Sequence, residues 1–443
     1  MSEDRSWLDY YTSPWLGLAL LLTGLSLGTW ASGLVTPVQD TVDYLITGLN
    51  TAAPYIILFT VLPALVDLFD TAGGRAPLIV LLLFLGSSVT AGLFGLAVSG
   101  LAFQLPLAGG SGGGFLSVLV ENLTQLSAAP AIIAVFWAFA SAIVLHLLIV
   151  VDRKTADDGL LAGVVGPLGY FARQTRRIFL IIFEKGVDRL GGLLEYTIPI
   201  LLFSIGTYVP VSVQDASQRA AEASEGFNAV AWYLGTAALV AGATLVFLAL
   251  VGVLAIKLAG RDPGRAFREY VVPVYAFAWS SVSSTATIPI NLEKADEGLD
   301  ARESTRGFVI PLGATINLDG TLIASMLITP VVAEAIGLGL TFPELAATLL
   351  PLLVMTVGAP GLPAGMSFLA PPVIAAVLGL SGAVEEAFIG VWFAFSLGLA
   401  DQFRTGVNSV NNGFITLIAE RILYGPPSEV DTTTAEDPEP TPA

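Results

Sequence analysis

The chain has 443 residues and no cysteine, which removes disulfides, thiolate nucleophiles and cysteine-held metals from its chemistry. A single histidine, His146, is too few for a His-based metal or catalytic cluster; at the end of an apolar run it reads as an interfacial ring, and no role is assigned to it. Charge is also scarce, at 12% of residues, and lopsided: the formal net charge is −17, and lysine occurs only at Lys154, Lys185, Lys257 and Lys294. So acidic a chain is a poor partner for nucleic acid. An acidic, lysine-poor exterior stays hydrated in concentrated salt, so the expected host is a halophilic prokaryote. With no thiol, no His cluster and no serine beside a plausible base, an enzyme is not expected.

What the chain does have is apolar length. Hydrophobic residues make up 54% of it, and runs long enough to cross about 30 Å of hydrocarbon recur at 15–35, 55–68, 78–101, 128–151, 193–209, 230–258 and 308–336. The first run follows acidic Ser2-Glu3-Asp4 and lacks a small-residue cleavage site, so it is expected to be retained as a helix. Basic residues recur at Arg75, at Arg153 and Lys154, at Arg173, Arg176 and Arg177, from Lys257 to Arg268, and at Lys294, Arg302 and Arg306. By the positive-inside rule these segments face the cytoplasm, and Arg5 and Arg421 put both termini there. The result is an all-α, multi-pass protein of the cell membrane with eight transmembrane helices and two segments left over.

Those two segments are interrupted. The first, 267–290, carries Ser280-Ser281-Val282-Ser283-Ser284-Thr285-Ala286-Thr287 at its centre, and both of its outer ends lie near basic residues. The second, 345–380, carries Gly358-Ala359-Pro360-Gly361-Leu362-Pro363-Ala364-Gly365. Irregular backbone at membrane depth survives only where protein or a wet cavity satisfies it. Two broken segments entering from opposite faces predict re-entrant helical hairpins, an inverted repeat, and a site at its interface.

A polar helix follows each hairpin. In Gly313-Ala314-Thr315-Ile316-Asn317-Leu318-Asp319-Gly320-Thr321 an aspartate lies deep in a span, at a cost of about 2.5–3.5 kcal/mol on insertion scales. Gly320 beside it predicts an unwound turn whose carbonyls, with the carboxylate, suit a hard cation. Further on, a helix from Val391 holds Asp401, Arg404, Thr405, Asn408 and Asn412, whose spacings of 3, 4, 7 and 11 form one polar stripe. The Arg404 fork matches a carboxylate and Asp401 an ammonium, which together describe an acidic amino acid; the alternative is that the two neutralise each other across one turn.

At these residues the chain resembles the dicarboxylate/amino acid:cation symporter family, which includes archaeal aspartate transporters, animal excitatory amino acid transporters and bacterial C4-dicarboxylate carriers. Gly313–Thr321 is similar to its G-A-T-x-N-x-D-G-T motif, Ser283–Pro289 and Gly361–Pro363 to its two hairpin tips, and Asp401–Asn408 to D-x-x-R-T-x-x-N. The resemblance implies a homotrimer working by an elevator mechanism. It assigns scaffold helices to 1–75 and 105–227, the third helix of the transport domain to 76–104, that domain's core to 228–424, and leaves 425–443 as a disordered acidic tail.

By the same resemblance, Arg404 with Thr321 and Thr405 would hold the cargo's distal carboxylate, Asp401 its amino group, and Asn408, with backbone at Ser284 and Thr285, its α-carboxylate. The hairpin tip at Leu362 and Pro363 would be the gate. One sodium site is implied at Asp319, Asn317, Ser87, Ser88 and Phe84, and a second at Thr315, Thr356, Val357 and Ala359. Gly313 and Asn408 are further sodium candidates; a third site depends on an aspartate near the end of the last helix, but Asn412 stands there and Leu397 replaces another acid, which leaves the ion count open. Ser325 replaces the glutamate of proton-coupled relatives. Sodium-coupled symport of aspartate or glutamate is therefore expected, with no organic cofactor; the alternatives are a sodium- or proton-coupled carrier for succinate, fumarate or malate, and a gated anion channel.

Overall fold

The computed structural model describes residues 11, 13–31, 33, 75–107, 130–155, 166–175, 177–178, 181, 199–200, 202–211, 213, 228–356 and 365–425. These residues are helical throughout, with no strand among them. Helices α1 (Pro14–Trp30), α2 (Arg75–Phe103), α3 (Pro130–Thr155) and α4 (Ala229–Ala259) cover four of the expected runs. The expected span at 55–68, the first part of 193–209, the Gly358–Ala364 tip and the tail after Gly425 lie outside the described residues. Among the described residues, three helices are long and apolar enough to cross a membrane, Leu78–Phe103, Ala229–Ala259 and Glu303–Ala335, and the bent pair Gly382–Ser396 and Leu399–Tyr424 would make a fourth if it is one span.

The first interrupted segment is a helical hairpin. A π-helical lead-in, Ala266–Val271, runs into α5 (Val272–Ser281); the chain turns through Val282–Thr287 and returns as α6 (Ile288–Leu299). Its two outer ends meet. Arg265 at the entrance pairs with Asp300 just past the exit at 3.0 Å, Arg261 donates to the Asp300 carbonyl at 2.8 Å, and Arg306 pairs with Asp296 at 2.7 Å. Entry and exit thus share one face, as a re-entrant segment requires.

Helices α7 (Glu303–Ile316) and α8 (Asp319–Ala335) form one long span broken at Asn317–Leu318. The break was expected beside Gly320, yet Gly320 is helical. It serves close approach instead, because a Cβ there would run into the Arg404 backbone. Helix α8 is buried along nearly its whole length, as an apolar-all-round helix at the centre of a bundle should be. Helices α9 (Phe342–Thr356) and α10 (Gly365–Val377) form the arms of the second hairpin, and they pack on each other and on α8.

The final polar helix does not run unbroken from Val391. Helix α11 (Gly382–Ser396) ends, Leu397–Gly398 intervene, and α12 (Leu399–Tyr424) departs at 63°. Gly398 adopts φ +64 and ψ −123, a conformation favoured by glycine. Tyr233 on α4 clamps the bend: its hydroxyl donates to the Leu397 carbonyl at 3.0 Å and accepts from Leu399 N–H at 2.9 Å. Helix α12 then threads between α4, α5, α7 and α8. Its polar residues extend beyond the expected stripe: Asn411, two turns after Arg404, borders it on one side, and Gln402, Ser409 and Thr416, spaced seven apart, are buried on the other.

Hairpin 1 is bolted to α12. The Tyr270 hydroxyl contacts the Val410 carbonyl at 2.8 Å and accepts from Gly413 N–H at 3.0 Å, and the Asn291 amide donates to the Ser409 carbonyl at 2.7 Å. The substitution Gly398→Ala should lower stability by about 1–3 kcal/mol, since it imposes a strained backbone and its Cβ meets the Tyr233 hydroxyl. Thermal unfolding of the detergent-purified protein, followed by tryptophan fluorescence, measures this; an unchanged midpoint contradicts it.

Candidate functional site

Two polar clusters flank the α7–α8 break. The first surrounds Asp319, fully buried in the first turn of α8, where the helix dipole favours a negative charge. Ser87 on α2 donates to its Oδ2, Ser88 to Oδ1 at 2.9 Å, and Asn411 on α12 to Oδ2. Asn317 completes the ring. Its amide lies between the Asp319 carboxylate and Asn412, within hydrogen-bond reach of both. Turned toward the carboxylate, its nitrogen lies 2.9 and 3.2 Å from the two Asp319 oxygens. An oxygen-rich set of one carboxylate, two hydroxyls and an amide suits a hard monovalent cation. Among the described residues, no group of three or more His, Cys, Asp or Glu side chains could hold a metal.

The second cluster surrounds a cavity of about 20 Å³ lined by Val282 and Ser284 of the first hairpin tip, Leu318 and Thr321 at the break, Gly365 and Met366 at the start of α10, and Asp401, Arg404, Thr405 and Asn408 of α12. Four places where helices begin, end or turn converge here. Asn408 links the cluster to the break: its Oδ1 accepts from Gly320 N–H at 2.8 Å, capping α8 from outside, and its Nδ2 donates to Thr321 Oγ1 at 3.0 Å. Val282 sits at φ 53, a strained conformation for a β-branched residue, costing about 1–3 kcal/mol at the rim of the site.

Arg404 and Asp401 are engaged with each other. Nε and Nη2 of Arg404 both donate to Asp401 Oδ1, at 2.8 and 2.7 Å, and their side chains are only 3% and 7% exposed. Nη2 also donates to Ser367 Oγ on α10 at 2.7 Å, while Nη1 is buried with no hydrogen-bond partner. The arrangement matches the alternative in which the pair neutralises itself, and it leaves Nη1 as the open donor of the fork. A carboxylate would have to draw Arg404 away from Asp401 to gain a two-pronged grip.

The remaining expected residues are distributed unevenly. Thr285 is exposed and does not line the cavity. Phe84 is buried, and Gly313 lies so close to it and to Asn412 that a Cβ would collide with both. The hydroxyls of Thr315 and Thr356 bond to carbonyls of their own helices, at Leu312 and Leu353. Val357, Ala359, Leu362 and Pro363 lie outside the described residues, so the second expected sodium site and the gate tip are not described. Ser325 donates to the Thr321 carbonyl. Asn411, Ser367 and Met366 were missed by sequence reading, while Gly365 had been placed in the Gly/Pro-rich interruption. The signal for Asn411 was its neighbour, since two consecutive asparagines deep in a membrane helix are costly unless both are used.

Long apolar helices, two hairpins and a small polar cavity between helix ends define a helical membrane protein with a polar site among its buried helices. Residues 195–422, from before α4 nearly to the end of α12, match the sodium:dicarboxylate symporter family, and the chain belongs to that family. It is 29% identical over 205 residues to the serine/threonine transporter SstT of Streptococcus agalactiae serotype III (strain NEM316), a match covering 46% of this chain and 50% of that protein. It is 25% identical over 284 residues to the putative sodium-dependent excitatory amino acid transporter glt-4 of Caenorhabditis elegans, covering 61% of this chain and 53% of that protein. The chain spans about half the length of the relatives it matches.

The pairing of Arg404 with Asp401 carries a stability prediction. Asp401→Leu alone leaves a buried guanidinium uncompensated and should destabilise by about 3–5 kcal/mol, whereas adding Arg404→Leu should recover much of the loss. Unfolding midpoints of the two single variants and the double variant decide it; additive losses would mean that the pair is not coupled.

Proposed function

We propose that the chain is a secondary active symporter that couples sodium ions to the uptake of an acidic amino acid, aspartate or glutamate. One observation carries the reading: Asp319 belongs to the cation cluster and Thr321, two residues along the same helical turn, to the solute cavity, with Asn408 bonded across the turn between them. A cation drawn to Asp319 orders the turn that shapes the cavity, and cargo in the cavity steadies the same turn. That is the differential stabilisation which coupling requires. Family membership supports sodium as the coupling ion.

Within this proposal Arg404 turns from Asp401 to the cargo's distal carboxylate, Asp401 takes the amino group, and Asn408 and the first hairpin tip take the α-carboxylate. Because Ser367 bonds Arg404, the second hairpin is tied to the residue that senses the cargo, which supports its assignment as the gate. Eight crossings, the scaffold and transport regions with the boundaries given above, a homotrimer and elevator-type motion belong to the same proposal. The packing of α2, α4, hairpin 1, α7, α8 and α12 around one another supports a single moving body.

A second reading is a small neutral amino acid with a hydroxyl, such as serine or threonine. The closed Arg404–Asp401 pair favours it, since with both charges matched the open Nη1 suits a hydroxyl oxygen, and SstT carries serine and threonine in its name. Proteoliposome uptake of labelled aspartate, glutamate, succinate and serine under imposed sodium or proton gradients separates the readings. Aspartate concentrated under sodium alone is the expected result. Asp319→Ala should abolish gradient-driven uptake, and Arg404→Ala should weaken aspartate at least about 100-fold. Normal accumulation by the Asp319 variant would remove the cation assignment, and unchanged aspartate affinity in the Arg404 variant would remove the acidic one.

A further inference from the structure

We infer that Asn411 is a two-faced cation ligand: its amide nitrogen caps Asp319 when no cation is bound, and a half-turn presents its oxygen to sodium when one is. The inference rests on the sodium-symport reading and extends it to a residue outside the motifs of the resemblance. Asn411 is fully buried in α12. Its Nδ2 donates to both Asp319 Oδ2 and Ser87 Oγ, the latter at 3.0 Å, while its Oδ1 is buried without a hydrogen-bond partner. An orphaned carbonyl on a fully buried amide is rare, because such a group normally finds a donor.

Its chemistry matches that of its neighbours. A half-turn of an amide exchanges oxygen and nitrogen in nearly the same positions, so Oδ1 would stand where Nδ2 now meets Asp319 and Ser87. There it would face a carboxylate oxygen, which repels it unless a cation lies between. Asn317 has the same two-faced geometry on the other side of the carboxylate, and the Ser87 and Ser88 hydroxyls can donate or accept. Every neutral group on Asp319 can therefore donate to a bare carboxylate and accept toward a cation. Such a shell exchanges the charge of sodium for four weak donors without ever exposing the carboxylate to hydrocarbon, and Asn411 is the member supplied by α12. The cation thereby bears directly on the helix that carries Arg404.

The test uses the chain purified in detergent, without solute, and follows sodium-dependent thermal stabilisation at constant ionic strength in sodium chloride against choline chloride. Asn411→Leu, with Asn411→Ala as a second variant should the larger side chain prevent folding, is expected to raise the half-saturating sodium concentration about ten- to a hundredfold. Asn411→Asp can accept but not donate once ionised, so it is expected to keep or tighten sodium binding. Wild-type sodium affinity in the Leu or Ala variant overturns the inference. So does loss in Asn411→Asp equal to that in Asn411→Leu, which would make Asn411 a donor cap only. Asp319→Asn is the separate control: if it leaves sodium stabilisation intact, the cation reading of the whole cluster fails, and the role of Asn411 with it.

Discussion

A carboxylate sealed among apolar helices must be satisfied where it lies, and the satisfaction of Asp319 organises the core of this protein. Its partners come from three separate stretches of chain: Ser87 and Ser88 on α2, Asn317 at the α7–α8 break, and Asn411 on α12. Bringing them within hydrogen-bond reach requires those helices to pack closely, and small residues allow it, as Gly320 does against the Arg404 backbone. Removing any one donor leaves a buried polar group unmet at about 1–3 kcal/mol, so the cluster is held together as a set.

The second consequence of that constraint is adjacency. The break at Asn317–Leu318 releases backbone and side chains from helical geometry for two residues, so that one side of the turn looks toward Asp319 and the other toward the cavity. Asn408 and Asn411 lie on the same helix as Asp401 and Arg404, so α12 touches both clusters as well. Under the proposed symport, linked occupancy would run through these shared elements, with no longer pathway required.

Much of this was legible in the sequence because the signals were chemical and local. Apolar runs located α1 to α4, the hydroxyl-rich and Gly/Pro-rich interruptions located both hairpins, and Asp319 and Arg404 stood out as ionised groups far from either face. What was illegible depended on direction and distance. The bend before α12 was hidden because Leu397 and Gly398 look like ordinary membrane-helix residues; Tyr233, more than 160 positions away, completes it. Helical spacing drew a stripe from Asp401 to Asn412, yet α12 is enclosed on all sides, so Asn411, two turns after Arg404 at the edge of that stripe, is as central as the residues singled out on it. Residue types alone left both partners for Arg404 open, cargo or Asp401, and the structure holds it against Asp401.

The two hairpins are fastened by bonds of different kinds. Around the base of hairpin 1 the ion pairs of Arg265, Arg306 and Lys294 stand partly in solvent, while deeper in the protein Tyr270 and Asn291 hold it to α12 through neutral, buried contacts. In brine the screening length shrinks to about 3 Å at 1 M salt, so the outer pairs fade and the inner contacts do not. An anchorage of that design is indifferent to the salinity of the surrounding water. Hairpin 2 is bonded to α12 by Ser367 on the buried Arg404 guanidinium, a charged contact shielded from the salt that weakens the outer pairs.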